Sequence, residues 1–213
     1  MNKEQIAEHV KYVWAVESAA VAKLAETVDM DAVETAVKML ACCKMNKGRV
    51  LTTGAGTSGA AAKKIAHSLS CIEIPSFFLS PVDGVHGALG ALQPDDVVIA
   101  ISKGGCTEEI MKIVPVIKAK GARLIGVTEN ENSMLAQASD LVMKVKADKE
   151  PDPFNMLATA STIAVIAVFD AIAITLMYYT KYQKDQFAII HPSGAVGERL
   201  IKEKNDGRTS GFI

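Results

Sequence analysis

No excess of charge of either sign marks this chain. Its 23 lysines and arginines face 24 aspartates and glutamates, a net charge of −1, so no basic surface points to nucleic acid or to an anionic membrane. The opening residues, Met1-Asn2-Lys3-Glu4-Gln5, lack the basic and apolar regions of a signal peptide. Four cysteines, Cys42, Cys43, Cys71 and Cys106, show no C-x-x-C spacing, and without an export signal they read as reduced thiols of a cytoplasmic protein. Cys106 lies in a glycine-rich turn, where an activated thiol competes with an inert one. No repeat, linker or low-complexity tract divides the 213 residues, enough for one domain with a good core.

What the chain does have is a run of β-type residues that ends on glycines. In residues 49–59, Val50-Leu51-Thr52-Thr53 leads into Gly54-Ala55-Gly56-Thr57-Ser58-Gly59, and an alanine-rich helical segment follows. A strand that turns on glycines into a helix points several backbone N–H groups at one spot, which the helix dipole makes positive. Thr57 and Ser58 add hydroxyl donors there. The expected guest is a small anion, most often a phosphate; the alternative is a tight turn with no ligand.

Gly54, Gly56 and Gly59 also satisfy the G-x-G-x-x-G spacing of a dinucleotide site. That site needs an acidic ribose ligand about 20 residues on, and Asp83, after the second strand, comes too late. A P-loop Gly-Lys-Ser/Thr triplet is lacking as well. A second Ser/Gly/Thr turn, Ser102-Lys103-Gly104-Gly105-Cys106-Thr107, follows the run Val97-Val98-Ile99-Ala100-Ile101. Two such turns suit one phosphate held from two sides better than a dinucleotide.

The hydrophobic pattern predicts helices over 2–28 and 31–45, then strands at 49–53, 76–80, 97–101, 122–127 and 141–145, with helices at 58–70, 107–119 and 132–138. Strands separated by helices predict an α/β fold, a parallel sheet covered on both faces. The central runs 97–101 and 123–127 are apolar without alternation, as such a sheet requires. Residues 156–179 are nearly all apolar and long enough to cross a bilayer. Asp170 near the middle and the lack of a clear basic flank point instead to a helix buried between sheet and partner subunit. The polar stretch after Gly197 reads as a mobile tail.

Taken together, GAGTSG, HGALGALQPDDVVIAIS, KGGCTEE and HPSGAVGERL resemble the sugar isomerase (SIS) domain, in its arabinose-5-phosphate isomerase branch, from about residue 45 to 202. The resemblance implies a three-layer αβα sandwich around a parallel five-stranded sheet of flavodoxin-like type. Residues 1–45 would form a helical arm of the same domain, 46–202 the phosphosugar-binding unit, and 203–213 a polar tail. The branch often carries paired CBS domains, which this sequence does not include. A homotetramer is implied, with a small phosphosugar as the partner molecule, and with no metal, cofactor, nucleic acid or membrane.

The family's phosphate contacts fall on Ser58, Ser102 and Thr107, with Gly56, Thr57 and Gly104 completing the two turns. Relatives commonly read Ser-x-Ser-Gly-Glu-Thr in the second turn; Gly104 and Cys106 replace its second serine and its glutamate, and Gly104 leaves its N–H accessible. The resemblance puts acid–base chemistry on Glu109, Glu150, His191 and His86. Three of them have a plainer alternative. Glu109 suits the first turn of a helix, Glu150 a solvated loop beside Lys149, and His191 a turn before Pro192. Thr57 stands where the branch has lysine, and Ala88 where it has the aspartate of His-Gly-Asp. The implied activity is an aldose–ketose isomerisation through an enediol, with arabinose 5-phosphate/ribulose 5-phosphate the leading pair. The alternatives are a phosphosugar sensor without catalysis and an isomerase of another phosphosugar such as hexulose 6-phosphate.

Overall fold

The computed structural model describes residues 1–205. Two helices come first. Asn2 and Gln5 close a capping box on α1 (Lys3–Thr27), and the Asp29 side chain accepts the Asp31 N–H at the start of α2 (Met30–Met45). Strand and helix then alternate: β1 (Val50–Gly54), α3 (Gly56–Ser70), β2 (Ser76–Phe78), α4 (Pro81–Val85), β3 (Val97–Ile101), α5 (Glu108–Ala119), β4 (Arg123–Thr128), α6 (Met134–Ala138) and β5 (Leu141–Lys144). The described residues end in α7 (Ala160–Tyr179), α8 (Lys184–Ile190) and α9 (Gly194–Asn205).

The strands form one wholly parallel sheet in the order β2-β1-β3-β4-β5. Side chains alternate across it. Val50, Val97, Ile99, Ile101, Ile125, Val127 and Met143 pack under α2, α3 and α7. Leu51, Val98, Ala100 and Leu124 pack under α4, α5 and α6. Layers of helix, sheet and helix result, the α/β sandwich expected. At the amino ends of β1 and β3, buried Asp96 accepts the N–H groups of Arg49 (2.7 Å) and Gln93 (2.9 Å), and pairs with the Arg49 guanidinium at 2.9 Å. That clamp holds the two central strands in register, Val50 opposite Val97.

Two expectations change. The second strand stops at Phe78 rather than residue 80, because Ser80 caps a helical turn whose first residue is Pro81, already at helical φ. As far as Asn205, the polar stretch after Gly197 belongs to α9, where Glu203 pairs with Lys184 of α8 and with Arg199 at 2.8 Å. Gly197 sits against the preceding turn, since a Cβ there would lie 2.6 Å from the His191 carbonyl. Most of 203–213 lies outside the described residues.

Helix α7 is apolar on all sides, and by length and composition it could cross a membrane. Here it packs on the sheet together with α2 and α3, burying Ala164, Val168, Phe169, Ile172 and Leu176. Asp170, which interrupts the apolar run, pairs with Lys64 of α3. Helix α1 crosses it through small residues, Val16 and Ala20 against Ala147 and Ala160. Phe169 is the largest side chain in this layer that is wholly buried. Phe169→Ala should cost about 3–5 kcal/mol, the lost transfer energy plus a cavity, as a lower denaturation midpoint with an unchanged slope.

Candidate active site

The strand order reverses between β1 and β3: from β1 the chain goes outward to β2, then returns to β3 and continues the other way. Loops leaving the carboxyl ends of β1 and β3 therefore diverge and leave a crevice. A cavity of about 70 Å³ opens there. It is lined by Thr57 and Ser58 of the first turn, Lys103 of the second, Thr128 at the end of β4, and Ser161 and Thr162 of α7.

Gly56 takes φ +56° with open space where a Cβ would be, which lets β1 turn at once into α3. Ala55, the N-cap of α3, provides no side-chain hydrogen bond. The first N–H groups of that helix thus lack a side-chain partner beside the Thr57 and Ser58 hydroxyls, an arrangement suited to an anion.

The second turn is built tightly. Gly105, at φ +71°, admits no side chain, because a Cβ would lie 2.0 Å from Ser133 Oγ. Ser102 is buried; its Oγ is 2.7 Å from Thr107 Oγ1 and accepts the Gly105 N–H at 3.1 Å. These two hydroxyls brace the turn and are not among those lining the cavity. Thr107 makes no side-chain cap on α5, so this helix too begins without one. Gly104 is exposed, with nothing within 4 Å of a Cβ position.

Glu150 is not the solvated loop charge that its neighbour Lys149 suggests. It is 3% exposed and gathers donors from three directions. Its Oε2 accepts the N–H groups of Thr159 (3.0 Å) and Ser161 (3.4 Å), the free amides at the start of α7. Oε1 accepts from Ser161 Oγ and from Lys103 Nζ, the latter at 2.9 Å. Burial pushes the carboxyl pKa up, but the hydrogen bonds of Ser161, Lys103 and Thr159 and the Lys103 charge outweigh it and hold Glu150 below the ordinary glutamate range. The carboxylate is α7's own anion, opposing the dipole of a 20-residue helix.

The remaining candidates lie apart. Glu109 is exposed in the first turn of α5, and His86 is exposed at the end of α4. His191 follows α8, its ring stacked on Phe187 at 3.9 Å and its Nδ1 bonded to the Phe187 carbonyl. Helix α8 begins beyond the far end of α7, a 20-residue helix about 30 Å long by helical rise, and Gln186 ties it to Glu73 before β2. Within one chain, the structure brings together Thr57, Ser58 and Glu150 through Lys103, but not His191. Sequence reasoning missed Lys103, Thr128, Ser161 and Thr162. Only Lys103 had a signal, its place inside the second turn. Among the described residues no cluster of three or more His, Cys, Asp or Glu could hold a metal ion.

Residues 45–175 match the family model of the SIS domain. An arabinose 5-phosphate isomerase, KpsF, of Escherichia coli O6:H1 is 36% identical over 92% of this chain, which spans 59% of that protein's length. The chain thus covers less than two thirds of such relatives. A candidate sugar-phosphate isomerase from Listeria monocytogenes superposes with a TM-score of 0.88 at 49% identity, covering 91% of this chain and all of that one. An E. coli CFT073 protein in complex with arabinose 5-phosphate superposes at 0.85 with 32% identity over 90% of this chain and all of its own.

Because the Glu150 pKa is depressed on folding, its stabilisation is complete above the unfolded value of about 4.3 and disappears as pH falls through the lower folded value. Glu150→Gln should lower stability by roughly 1–3 kcal/mol at neutral pH. The gap in melting temperature between wild type and variant should close as the pH is lowered below about 4.

Proposed function

This chain belongs to the SIS domain family, and we propose that it is a phosphosugar aldose–ketose isomerase, with arabinose 5-phosphate and ribulose 5-phosphate as the first pair. The observation that carries this reading is the cavity at the β1/β3 crossover, where two helices start without side-chain caps beside Thr57, Ser58 and Lys103. Such a crevice suits the phosphate of a small sugar. Gly56, Ser58, Gly104 and the braced pair Ser102 and Thr107 form the two turns that would enclose it. The names of the similar E. coli and Listeria proteins support the same class of substrate.

Isomerisation requires ring opening by an acid and a base, then transfer of a proton between C2 and C1 through an enediol. Glu109 and Glu150 are our candidates for the proton transfer, and His86 and His191 for ring opening or carbonyl polarisation. Since His191 lies beyond the far end of α7, it would have to reach a cavity from another copy of the chain. That fits a cytoplasmic homotetramer in which surfaces now exposed are covered. Trp14 is 64% exposed, Phe154 76% and Met156 81%, with Ile174, Tyr178 and Tyr179 on the outer side of α7. Where such side chains form one patch, they are normally buried against a partner. A monodisperse assembly of about four chains in light scattering is the expected result; a monodisperse monomer would rule out the shared site.

A second reading, a phosphosugar sensor without catalysis, is favoured by one observation: Glu150 is already engaged by three residues and held as a weak base. Proton exchange in deuterated water separates the two. An isomerase incorporates deuterium at C1 or C2 of its sugar. Glu150→Gln should lower that exchange by about 10²–10⁴-fold, far more than it lowers calorimetric affinity for the phosphosugar, and Glu109→Gln tests the other carboxylate. Tight binding of a phosphosugar with no exchange by the wild-type protein would make it a sensor.

A further inference from the structure

Of the described residues lining the cavity, Lys103 alone carries a charge. The other polar groups there, on Thr57, Ser58, Thr128, Ser161 and Thr162, are hydroxyls. The backbone beneath Lys103 is pinned: its carbonyl accepts Thr128 Oγ1 at 2.9 Å and the Glu129 N–H at 3.0 Å, and Ser102 before it donates to the Val127 carbonyl at 3.0 Å. The lysine stem therefore leaves from a rigid point at the carboxyl ends of β3 and β4. Its ammonium lies 2.9 Å from Glu150 Oε1.

The pair is unequal. The Lys103 side chain is 42% exposed and that of Glu150 is 1% exposed. Glu150 has further donors in Thr159 and Ser161, so its charge remains compensated if Lys103 turns away. An ammonium carries three donors and no acceptor, and Glu150 takes only one of them. A flexible lysine left alone would sample solvent; tethered to a buried carboxylate, it waits at the cavity's edge with donors to spare.

We propose that Lys103 is the cation that binds the phosphate group of the substrate, held within reach by Glu150 as a positioning residue. It supplies from the second turn the charge that the first turn lacks at Thr57. This inference rests on the phosphosugar reading and assigns the phosphate contact within it. The two turns then divide the work: the first contributes hydroxyls and helix N–H groups, the second a full charge.

Calorimetric Kd values for inorganic phosphate and for arabinose 5-phosphate test it. Lys103→Met should weaken both by about 10–100-fold, the usual effect of losing a charged hydrogen-bond donor, and Lys103→Arg should keep most of the affinity. If Lys103→Met does not fold, as judged by thermal melting, Lys103→Gln removes the charge while keeping a donor to Glu150. The decisive variant is Thr57→Lys in the Lys103→Met or Lys103→Gln background. Moving the charge across the same cavity should recover much of the lost phosphate affinity. Wild-type affinity in the charge-removal variants would overturn the role of Lys103 and leave the phosphosugar reading intact. Failure of the wild-type protein to bind any phosphosugar or phosphate would overturn both.

Discussion

The edge of the sheet where its strands end is organised around one buried carboxylate. Removing a charge from water costs several kcal/mol unless it is paired and hydrogen-bonded, and Glu150 meets that condition through Thr159, Ser161 and Lys103. Meeting it fixes geometry over a long stretch of chain. The start of α7, the second glycine turn and the loop between them must come together around two oxygen atoms. The loop adds its own supports: Asn155 accepts the Glu150 N–H at 2.7 Å, and Asp152 accepts from Phe154, Met156 and Leu157.

That arrangement separates helix ends that are occupied from those that are open. Five helices, α3 to α7, begin at this end of the sheet, and the Ser80 and Ser133 side chains cap α4 and α6. Glu150 sits on the amides of α7, so that end is already matched with an anion. Helices α3 and α5 begin at Ala55 and Thr107, neither of which caps its helix with a side chain. They follow β1 and β3, the strands on either side of the crossover, where the backbone has to diverge. Parallel pairing, held at the opposite end by the Asp96 clamp, thus sets the two uncapped ends at the carboxyl ends of neighbouring strands.

Helix α7 shows how far composition alone can mislead. Its run of apolar residues satisfies the length of a membrane span, yet a uniformly apolar helix also serves a packed layer with neighbours on several sides. Here α1, α2, α3 and the sheet supply those neighbours, and Lys64 of α3 answers Asp170. The outward side chains that remain exposed are a separate matter; α1 and the loop around Phe154 expose apolar residues as well.

Local features in the sequence determined the elements and their layering. The apolar runs at 97–101 and 123–127, the glycine turn after β1 and the capping residues act within a few positions, where sterics and hydrogen bonding to the nearest backbone suffice. The α/β sandwich and the crevice-facing turn at Thr57 and Ser58 followed from these. Only tertiary structure decided the state of the titratable groups. Glu150 looks solvated beside Lys149, but its partner is Lys103, 47 residues away; burial and pairing depend on what other segments deliver. The same holds for His191, whose motif is local but whose distance from the cavity is set by the length of α7. It holds also for Glu203 of α9, which meets Lys184 of α8, 19 residues earlier. Periodicity reports which face a residue occupies; it carries no information about which distant charge will meet it there.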